Sequence, residues 1–286
     1  MSNAFFDSHK LTDHLAACGW QHEPASGSWR RATDRGSALL RPLDARSGWQ
    51  QFELQSGYLP TPEAGGPLAA NQRLYGPAKF VGGRSRPLLC RVDLPAELPD
   101  RADPASAGFD PSMFSDPVRA WAEAVTVCAT GQRSAGRVPM RLDESHVARF
   151  ERDGYSASFD DDELHIHVHL PGLFREIAIR EEPGLGAIVT AELLDLSGLP
   201  DGCREAAFYF AEAANDRLGL VRLAVAEEPS PGILRAMVHV GWAPIPGVWL
   251  HAALEAVEAA VTLTARELAA LRDRELAELV LAAAAV

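Results

Sequence analysis

The chain has 286 residues, 47% of them hydrophobic, and carries a formal net charge of −12. The hydrophobic fraction supports packed cores and excludes wholesale disorder, and the length fits one large domain or two of ordinary size. The acidic balance repels phosphate backbones, which excludes nucleic acid from the partners that we expect.

The sequence also indicates where the protein resides. Its longest wholly apolar stretch, residues 279–286, is far too short to span a bilayer. The first residues lack the basic and apolar regions of a secretory signal. The cysteines are scattered without Cys-x-x-Cys spacing, which is typical of free thiols in a reducing compartment: Cys18, Cys90, Cys128 and Cys203. We therefore expect a cytoplasmic protein without a membrane span.

The first half begins with a predicted amphipathic helix. Leu11 and Leu15 lie on one face of it, and Gly19, followed by Trp20, ends it. Strands are predicted next, at residues 29–32, 37–43 and 49–55. A Pro/Gly-rich loop follows at residues 57–70, and then two strands at residues 78–81 and 88–94. A surface excursion at residues 95–111 and a helix at residues 115–131 complete the half.

The second half predicts a helix, two hairpins, another helix, two strands and a closing helical region. These hairpins and strands fall at residues 155–159 with 164–170, 176–180 with 187–194, and then 220–226 and 233–242. The closing region has a stripe of Leu250, Leu254, Val257 and Val261. A capping-box pattern at residues 264–267 predicts that a further helix begins there. Each half is thus α+β, an antiparallel sheet packed by helices in the order α-β-β-β-α-β-β-α.

Internal similarity indicates that these halves are tandem repeats. The stretches ANQRL (residues 70–74) and ANDRL (residues 214–218) share four of five residues, 144 positions apart. The helix that ends in glycine and an aromatic residue recurs at Gly154 and Tyr155. The last repeated feature is a helix, which begins at Ser115 in the first half and at Pro246 in the second, so the three features occur in the same order in both halves. We predict two domains, 1–136 and 137–286, joined by a polar linker at residues 131–139 and arranged as an internal pseudo-dimer.

Charge is distributed unevenly between the predicted domains. Residues 1–136 hold 14 Lys and Arg against 14 Asp and Glu, a net charge of zero. Residues 137–286 hold 13 against 25, which accounts for the whole net charge of −12. An acidic second half suits either solubility or recognition of a basic segment on another protein.

The second half resembles the YbjN family. The likeness lies in a helix that ends in an Asn-containing segment, two strands at residues 220–226 and 233–242, and a terminal helix preceded by proline. That family shares its fold with type III secretion chaperones of the Tir-chaperone class. The resemblance covers roughly residues 146–286 and, more faintly, residues 10–131. It implies an acidic, non-enzymatic fold in which dimers bind extended segments of partner proteins, so a tandem copy would imitate such a dimer within one chain.

The sequence HIHVH at residues 165–169 is the sharpest chemical feature. Alternation along a strand places His165, His167 and His169 on one face and apolar side chains on the other. Imidazoles at this spacing can ligate Zn²⁺, and the carboxylates of residues 160–163 lie nearby in sequence. The alternative is an imidazole face that is solvated or covered by the other half. Residues 160–163 lack the glycine and later glutamate of a calcium loop, which favours an ordinary hairpin turn.

Patterns for nucleophile elbows, phosphate loops and zincins do not occur, and Gly184 and Gly186 flank a turn rather than a dinucleotide fingerprint. We therefore hypothesise a non-catalytic protein-binding module, chaperone- or adaptor-like, that uses no cofactor and recognises a segment of a partner protein. A structural or accessory subunit of a larger assembly is the alternative. A metal-dependent enzyme using His165, His167 and His169 is the third hypothesis.

The uncharged end of the chain, residues 280–286, is the last feature of note. Because its apolar side chains would be exposed if it projected into water, we expect it to pack against the first half or a partner. The closing helix is accordingly a possible site of oligomerisation.

Overall fold

The structure of the protein is a computed structural model that describes most of the chain. The described ranges are residues 8–43, 49–59, 66–74, 77–83, 86–95, 117–131, 142–170, 173–182, 186–226, 232–240 and 247–284. The predicted surface excursion and the predicted linker lie outside the described residues, except for Pro95 and Gly131 at their edges.

Both halves are α+β. The first contains α1 (Ser8–Ala17), β1 (Gln21–Glu23), β2 (Ser28–Thr33), β3 (Gly36–Pro42), β4 (Trp49–Gln55), α2 (Gly66–Gln72), β5 (Ala78–Gly83), β6 (Arg86–Pro95) and α3 (Pro117–Thr130). The second contains α4 (Glu144–Arg152), β7 (Ser156–Asp160), β8 (Glu163–Leu170), β9 (Leu173–Glu182), β10 (Gly186–Asp195), α5 (Asp201–Arg217), β11 (Arg222–Val225), β12 (Ile233–Val240), α6 (Gly247–Ala270) and α7 (Arg274–Ala284).

The two six-stranded sheets have the same antiparallel topology. Their strand orders are β1-β2-β3-β4-β6-β5 and β7-β8-β9-β10-β12-β11. In each sheet the last strand of the half is therefore inserted between the fourth and fifth strands, and the fifth lies at the edge. Each half has four strands before its second helix. In the second half these are the two predicted hairpins, whereas the first half has one strand more than the three predicted for it. In the first half the additional strand is β1, whose sequence Gln-His-Glu carries no β-strand signal.

Two helix ends recur at equivalent places in the halves. After α1 the N–H of Trp20 donates to Leu15 O over 2.9 Å, and after α4 the N–H of Tyr155 donates to Phe150 O over 3.0 Å. The glycine before each aromatic residue has a φ of 83° or 92°, a left-handed conformation that favours glycine. The predicted glycine-and-aromatic helix ends are confirmed.

The loop predicted at residues 57–70 is partly wrong, because α2 begins at Gly66. Pro67 stands in the first turn of α2, where the N–H that proline lacks would have no partner within the helix. The Gly66-Pro67 pair thus marks the start of a short helix and is not part of the loop.

The closing region also differs from its prediction. α6 runs without interruption through residues 264–267, because the Thr264 hydroxyl donates to Ala260 O over 2.7 Å instead of capping a new helix. The next helix begins at Arg274, with Asp273 Oδ1 accepting from the N–H groups of Glu275 and Leu276 at 2.9 and 3.2 Å.

α7 packs against α5 in its own half and buries Ala277. The sequence led us to expect that the end of the chain would pack against the first half or a partner; the described part of it packs within the second half instead of the first, and packing against a partner stays a prediction. Val280 and Leu281 are partly buried against the second core. Among the described residues, no helix is both long and apolar enough to cross a membrane.

Each half has its own hydrophobic core. The first centres on an aromatic group in which Phe52 lies 5.3 Å from Trp121 and 5.9 Å from Trp29, between ring centroids. The second packs the α6 stripe against the sheet, and the four predicted stripe residues are each 4% exposed or less. The predicted stripe is thus confirmed as the face that α6 turns to the core.

Candidate functional site

The halves meet through their second helices and edge strands. α2 packs against β11, and α5 packs against β5. Leu68 of α2 is buried in the hydrophobic core of the second half. The contact is reciprocal, because each half covers the edge strand of the other with its own helix. We call this region the junction, defined by α2, β5, β6, α5 and β11.

The repeated asparagines anchor the two edge strands. Asn71 Oδ1 accepts from the N–H of Phe80 over 2.6 Å, and Asn215 Oδ1 accepts from the N–H of Leu223 over 2.7 Å. Both asparagines are buried. Asn71 Nδ2 also donates to Leu223 O, across the junction, over 3.2 Å. An amide can satisfy a strand N–H and carbonyl together, which explains why asparagine stands at both positions.

A cation precedes the anchored residue in each edge strand and reaches the other half. Lys79 Nζ donates to Leu218 O, and to Gly219 O and Val221 O at 3.0 Å each. Arg222 donates in return to Leu74 O, and to Ala78 O over 3.1 Å. Leu74 and Leu218 are the last residues of the repeated ANQRL and ANDRL stretches. Each cation therefore binds the chain just after the second helix of the other half.

Helix polarity favours cations at these places. Arg91 of β6 donates to three carbonyls in the last turn of α5 and just after it: Asn215 O at 3.1 Å, Asp216 O at 2.9 Å and Leu218 O at 2.7 Å. The carbonyls at a helix C-terminus lack partners within the helix and carry the negative end of its dipole. Arg91 and Lys79 together cap α5 from the opposite half.

One buried carboxylate balances two of these cations. Asp93 Oδ2 lies 2.9 Å from Lys79 Nζ, and Asp93 Oδ1 lies 2.9 Å from Arg91 Nε. Gln51 Nε2 also donates to Asp93 Oδ1 over 3.1 Å. Burial nevertheless lowers the pKa of Lys79 to about 8, because the attraction of Asp93 offsets only part of the desolvation.

The second half has no carboxylate in that position. Burial lowers the pKa of Arg222 to about 10. Burial, reinforced by the charge of Arg222, lowers the pKa of His239 to about 3, so His239 is neutral near pH 7. In the first half, the backbone carbonyls of Leu74 and Ala78 accept hydrogen bonds from Arg222.

The predicted imidazole strand is β8. Its inward side chains Leu164, Ile166 and Val168 are buried, whereas His165 and His167 are partly exposed and His169 is exposed. The predicted alternation is therefore confirmed. We call the outward side of this sheet the imidazole face, and its members include Ser156, Ser158, His165, His167, Glu176 and Glu192.

Glu176 of β9 is hydrogen-bonded to one imidazole and lies near a second. It stands directly opposite His167 in the strand register. Its Oε1 lies 2.8 Å from His165 Nδ1, and its Oε2 lies 3.8 Å from His167 Nδ1. Within the described ranges, no group of three or more His, Cys, Asp or Glu side chains is arranged to hold a metal ion. Metal binding by His165, His167 and His169 together stays a prediction.

The acidic stretch at residues 160–163 is the turn between β7 and β8, as the hairpin interpretation predicted. Asp161 and Asp162 both have positive φ, 48° and 64°. This conformation is typical of two-residue hairpin turns and is tolerated by aspartate.

Sequence reasoning identified the asparagines but not the charged residues that they accompany. Arg73 and Arg217, which belong to the same repeated stretches, are exposed. Lys79 is one of only two lysines in a chain with 25 arginines, the other being Lys10. The rarity of lysine is the feature of the sequence that could have drawn attention to Lys79, whereas Arg91 and Asp93 have no distinctive sequence context.

Comparison with known proteins identifies no relative from which a function could be transferred, so the evidence for a function comes from the geometry of the chain. No protein-family model matches the sequence, and no curated protein matches it significantly. The junction and the imidazole face are therefore the features from which a function is argued.

Proposed function

We propose that this chain is a non-catalytic protein-binding module, chaperone- or adaptor-like, whose halves form an internal pseudo-dimer and recognise a segment of a partner protein. The reciprocal junction is the observation that carries the proposal. Lys79 and Arg222 occupy matching places in the two edge strands, and each binds carbonyls of the other half. Such an exchange of equivalent contacts is typical of a twofold dimer interface.

Covalent linkage gives this arrangement a physical advantage. Two separate copies lose translational and rotational freedom when they associate, whereas tethered halves are already close together. The junction buries several charges, and buried charges stabilise an interface only when their hydrogen-bonding geometry is met. A fused chain can maintain that geometry at any protein concentration.

The ionisable groups of the junction favour a structural use. Lys79, Arg91, Asp93 and Arg222 are each 3% exposed or less. They bind one another, Gln51 and backbone carbonyls of the opposite half. Groups held in this way are inaccessible to a substrate, which supports a non-enzymatic role.

The imidazole face is our candidate for the partner surface. Glu176 and Glu192 are exposed on it, and the acidic turn at residues 160–163 borders it. The half that contains it carries the whole net negative charge of the chain. The exposed carboxylates of this face suit a partner segment with basic side chains, since complementary charge raises the association rate and favours one partner over another.

Two glutamates provide a matched test. Glu192 is 62% exposed and lies 3.0 Å from Arg235 on the imidazole face, and Glu278 is 63% exposed and lies 2.9 Å from Arg274 on α7. Partners captured on the wild-type chain would be identified by mass spectrometry and measured against Glu192→Lys and Glu278→Lys. We expect Glu192→Lys to weaken capture several-fold and Glu278→Lys to leave it unchanged. Equal behaviour of the two variants would contradict the proposed surface.

A structural subunit remains the second candidate because of α6 and α7. Leu263, Leu276 and Leu279 are 64%, 45% and 66% exposed, unusual for large apolar side chains. A fixed partner or a second copy would cover them, in line with oligomerisation through the closing helix. Light scattering of the wild type and a Leu276→Ser/Leu279→Ser variant separates the candidates: a mass that falls in the variant favours the subunit, and one chain in both favours the module.

A further inference from the structure

We propose that the imidazole face is a pH-sensitive docking surface, which holds a basic partner segment near neutral pH and releases it when His165, His167 and His169 take up protons. The inference rests on the proposed function, because it concerns the surface that we assign to the partner. It adds the condition under which that partner binds, which depends on the charges that the strands bring together on this face.

The strand register determines which charged groups surround the imidazoles. β8 is paired with β7 on one side and with β9 on the other. On the outward side of β8 and of the residues paired with it, the described charged side chains besides the histidines are three carboxylates and one guanidinium group: Asp160, Glu163, Glu176 and Arg180. All four are at least partly exposed. Their net charge is −2 while the imidazoles are neutral, and three imidazolium groups would bring it to +1.

The next strands do not change this balance where they are ion-paired. Glu192 of β10 stands opposite Arg235 of β12, and the carboxylate of the one lies 3.0 Å from the guanidinium of the other. The sign of the charge around β8 therefore depends on its three histidines.

Imidazole is the group that changes charge in mildly acidic solution. Histidine ordinarily gains its charge between about pH 8 and pH 5, whereas carboxyl groups ordinarily titrate at about pH 4 and guanidinium groups stay charged. The side chains of His165 and His167 are 23% and 28% exposed, and His169 is exposed, so they adjoin the solution in which a partner binds. Acidification thus adds positive charge to the surface that the basic segment would occupy, and like charges oppose association.

Glu176 is the carboxylate at which protonation has the most direct effect. Its Oε1 lies 2.8 Å from His165 Nδ1, and its Oε2 lies 3.8 Å from His167 Nδ1. The Glu176 side chain is 48% exposed, so a lysine or arginine of the partner can reach it. An imidazolium group at such a distance forms an ion pair with the carboxylate inside the sheet face. The partner then loses a counter-charge and meets a positive ring in its place.

Fluorescence anisotropy of a labelled peptide in which Lys and Ser alternate, titrated with the full chain at low ionic strength, tests the inference. The dissociation constant of the wild type should rise about tenfold between pH 7.5 and pH 5.5, because positive charge is added opposite a basic segment. In the triple variant His165→Gln/His167→Gln/His169→Gln it should change by less than about twofold, because glutamine does not titrate.

Three histidines of the first half provide a control that is matched in number. His9 and His14 lie on α1 and His22 lies on β1, in the half that does not contain the imidazole face. Their joint replacement by glutamine removes as many titrating groups from the chain and should keep the full change of the wild type. Thermal melting at both pH values checks that each protein is folded where its binding is measured.

The outcomes separate this inference from the function on which it rests. An equal pH dependence in the wild type and in the β8 variant would overturn the inference and leave the proposed surface intact. Loss of the pH dependence in the first-half control would also overturn it, because the net charge of the whole chain would then be responsible. A wild type that does not bind the peptide at pH 7.5, or binding that Glu192→Lys leaves unchanged, would overturn the proposed surface and the inference with it.

Discussion

At matching places in the junction and on the strand next to it, the first half carries Lys79 and Asp93 whereas the second carries Arg222 and His239. Lys79 and Arg222 occupy equivalent positions, because each precedes the edge-strand residue that an asparagine anchors. Lys79 is paired in register with Arg91, and Asp93 is two residues further along β6. Arg222 is paired with the residue two before His239 on β12. A charged carboxylate in one half thus corresponds to a neutral imidazole in the other.

The difference extends to the neighbouring positions. Gln51 stands opposite Asp93 in the first sheet, and Ile188 stands opposite His239 in the second. Ile188 belongs to a small apolar cluster with Ala224 and Met237. The same topology therefore surrounds a polar cluster in one half and a mostly apolar one in the other. The cation that binds the opposite half is common to both, which indicates that this contact, rather than the surrounding charges, defines the junction.

Removal of the shared carboxylate should have the largest effect. In Asp93→Ala, Lys79 and Arg91 remain buried without their counter-charge, and the loss of one partner from a buried ion pair costs about 3–5 kcal/mol. We expect the free energy of unfolding in urea to fall by that amount. The exposed pair of Glu192 and Arg235 provides the contrast, because Glu192→Ala should cost about 0–1 kcal/mol. A small loss in Asp93→Ala would mean that the helix carbonyls alone suffice for the cations.

The next effect concerns the reciprocal cation of the second half. Arg222→Met leaves Leu74 O and Ala78 O without this donor, and each buried group that loses its partner costs about 1–3 kcal/mol. We expect a loss of about 2–4 kcal/mol in urea unfolding. Arg217→Met is the control, since Arg217 is exposed on the adjacent helix and its replacement should stay within about 0.5 kcal/mol. Similar losses in the two variants would argue against a reciprocal junction.

The second half has a buried imidazole, His239, where the first half has a carboxylate. This imidazole should make the stability of the protein depend on pH in the acidic range. Because the pKa of His239 is lowered from 6.5 to about 3, the unfolded state binds more protons than the native state between these values. Stability from this residue is thus complete above pH 6.5 and is lost as the pH falls, by about 2 kcal/mol between pH 7 and pH 5. We expect His239→Gln to lose that much less than the wild type over this interval in urea unfolding. Parallel pH curves for the two proteins would contradict the neutral burial of His239.

The sequence predicted those features that depend on near neighbours. The glycine-and-aromatic helix ends, the alternation of β8 and the α6 stripe each arise within one or two turns or strands. The junction could not be predicted in this way, because Lys79 binds carbonyls about 140 positions away. A local pattern gave a wrong prediction where one side chain can form either of two hydrogen bonds. The Thr264 hydroxyl bonds to a carbonyl within α6 rather than capping a new helix. The internal repeat identified Asn71 and Asn215, because in both halves an asparagine side chain anchors the edge strand.

The smallest effect distinguishes those two asparagines. Each anchors its own edge strand, but Asn71 Nδ2 also donates across the junction to Leu223 O, which Asn215 Nδ2 reaches from within its own half. Both Asn71→Ala and Asn215→Ala should be destabilising, and Asn71→Ala should cost about 1 kcal/mol more, the net value of one hydrogen bond. In the background of Arg222→Met, where the halves are held less firmly, the additional cost of Asn71→Ala should shrink because neighbouring contacts across one interface are coupled. An additional cost that is the same in both backgrounds would show that Asn71 acts only within the first half.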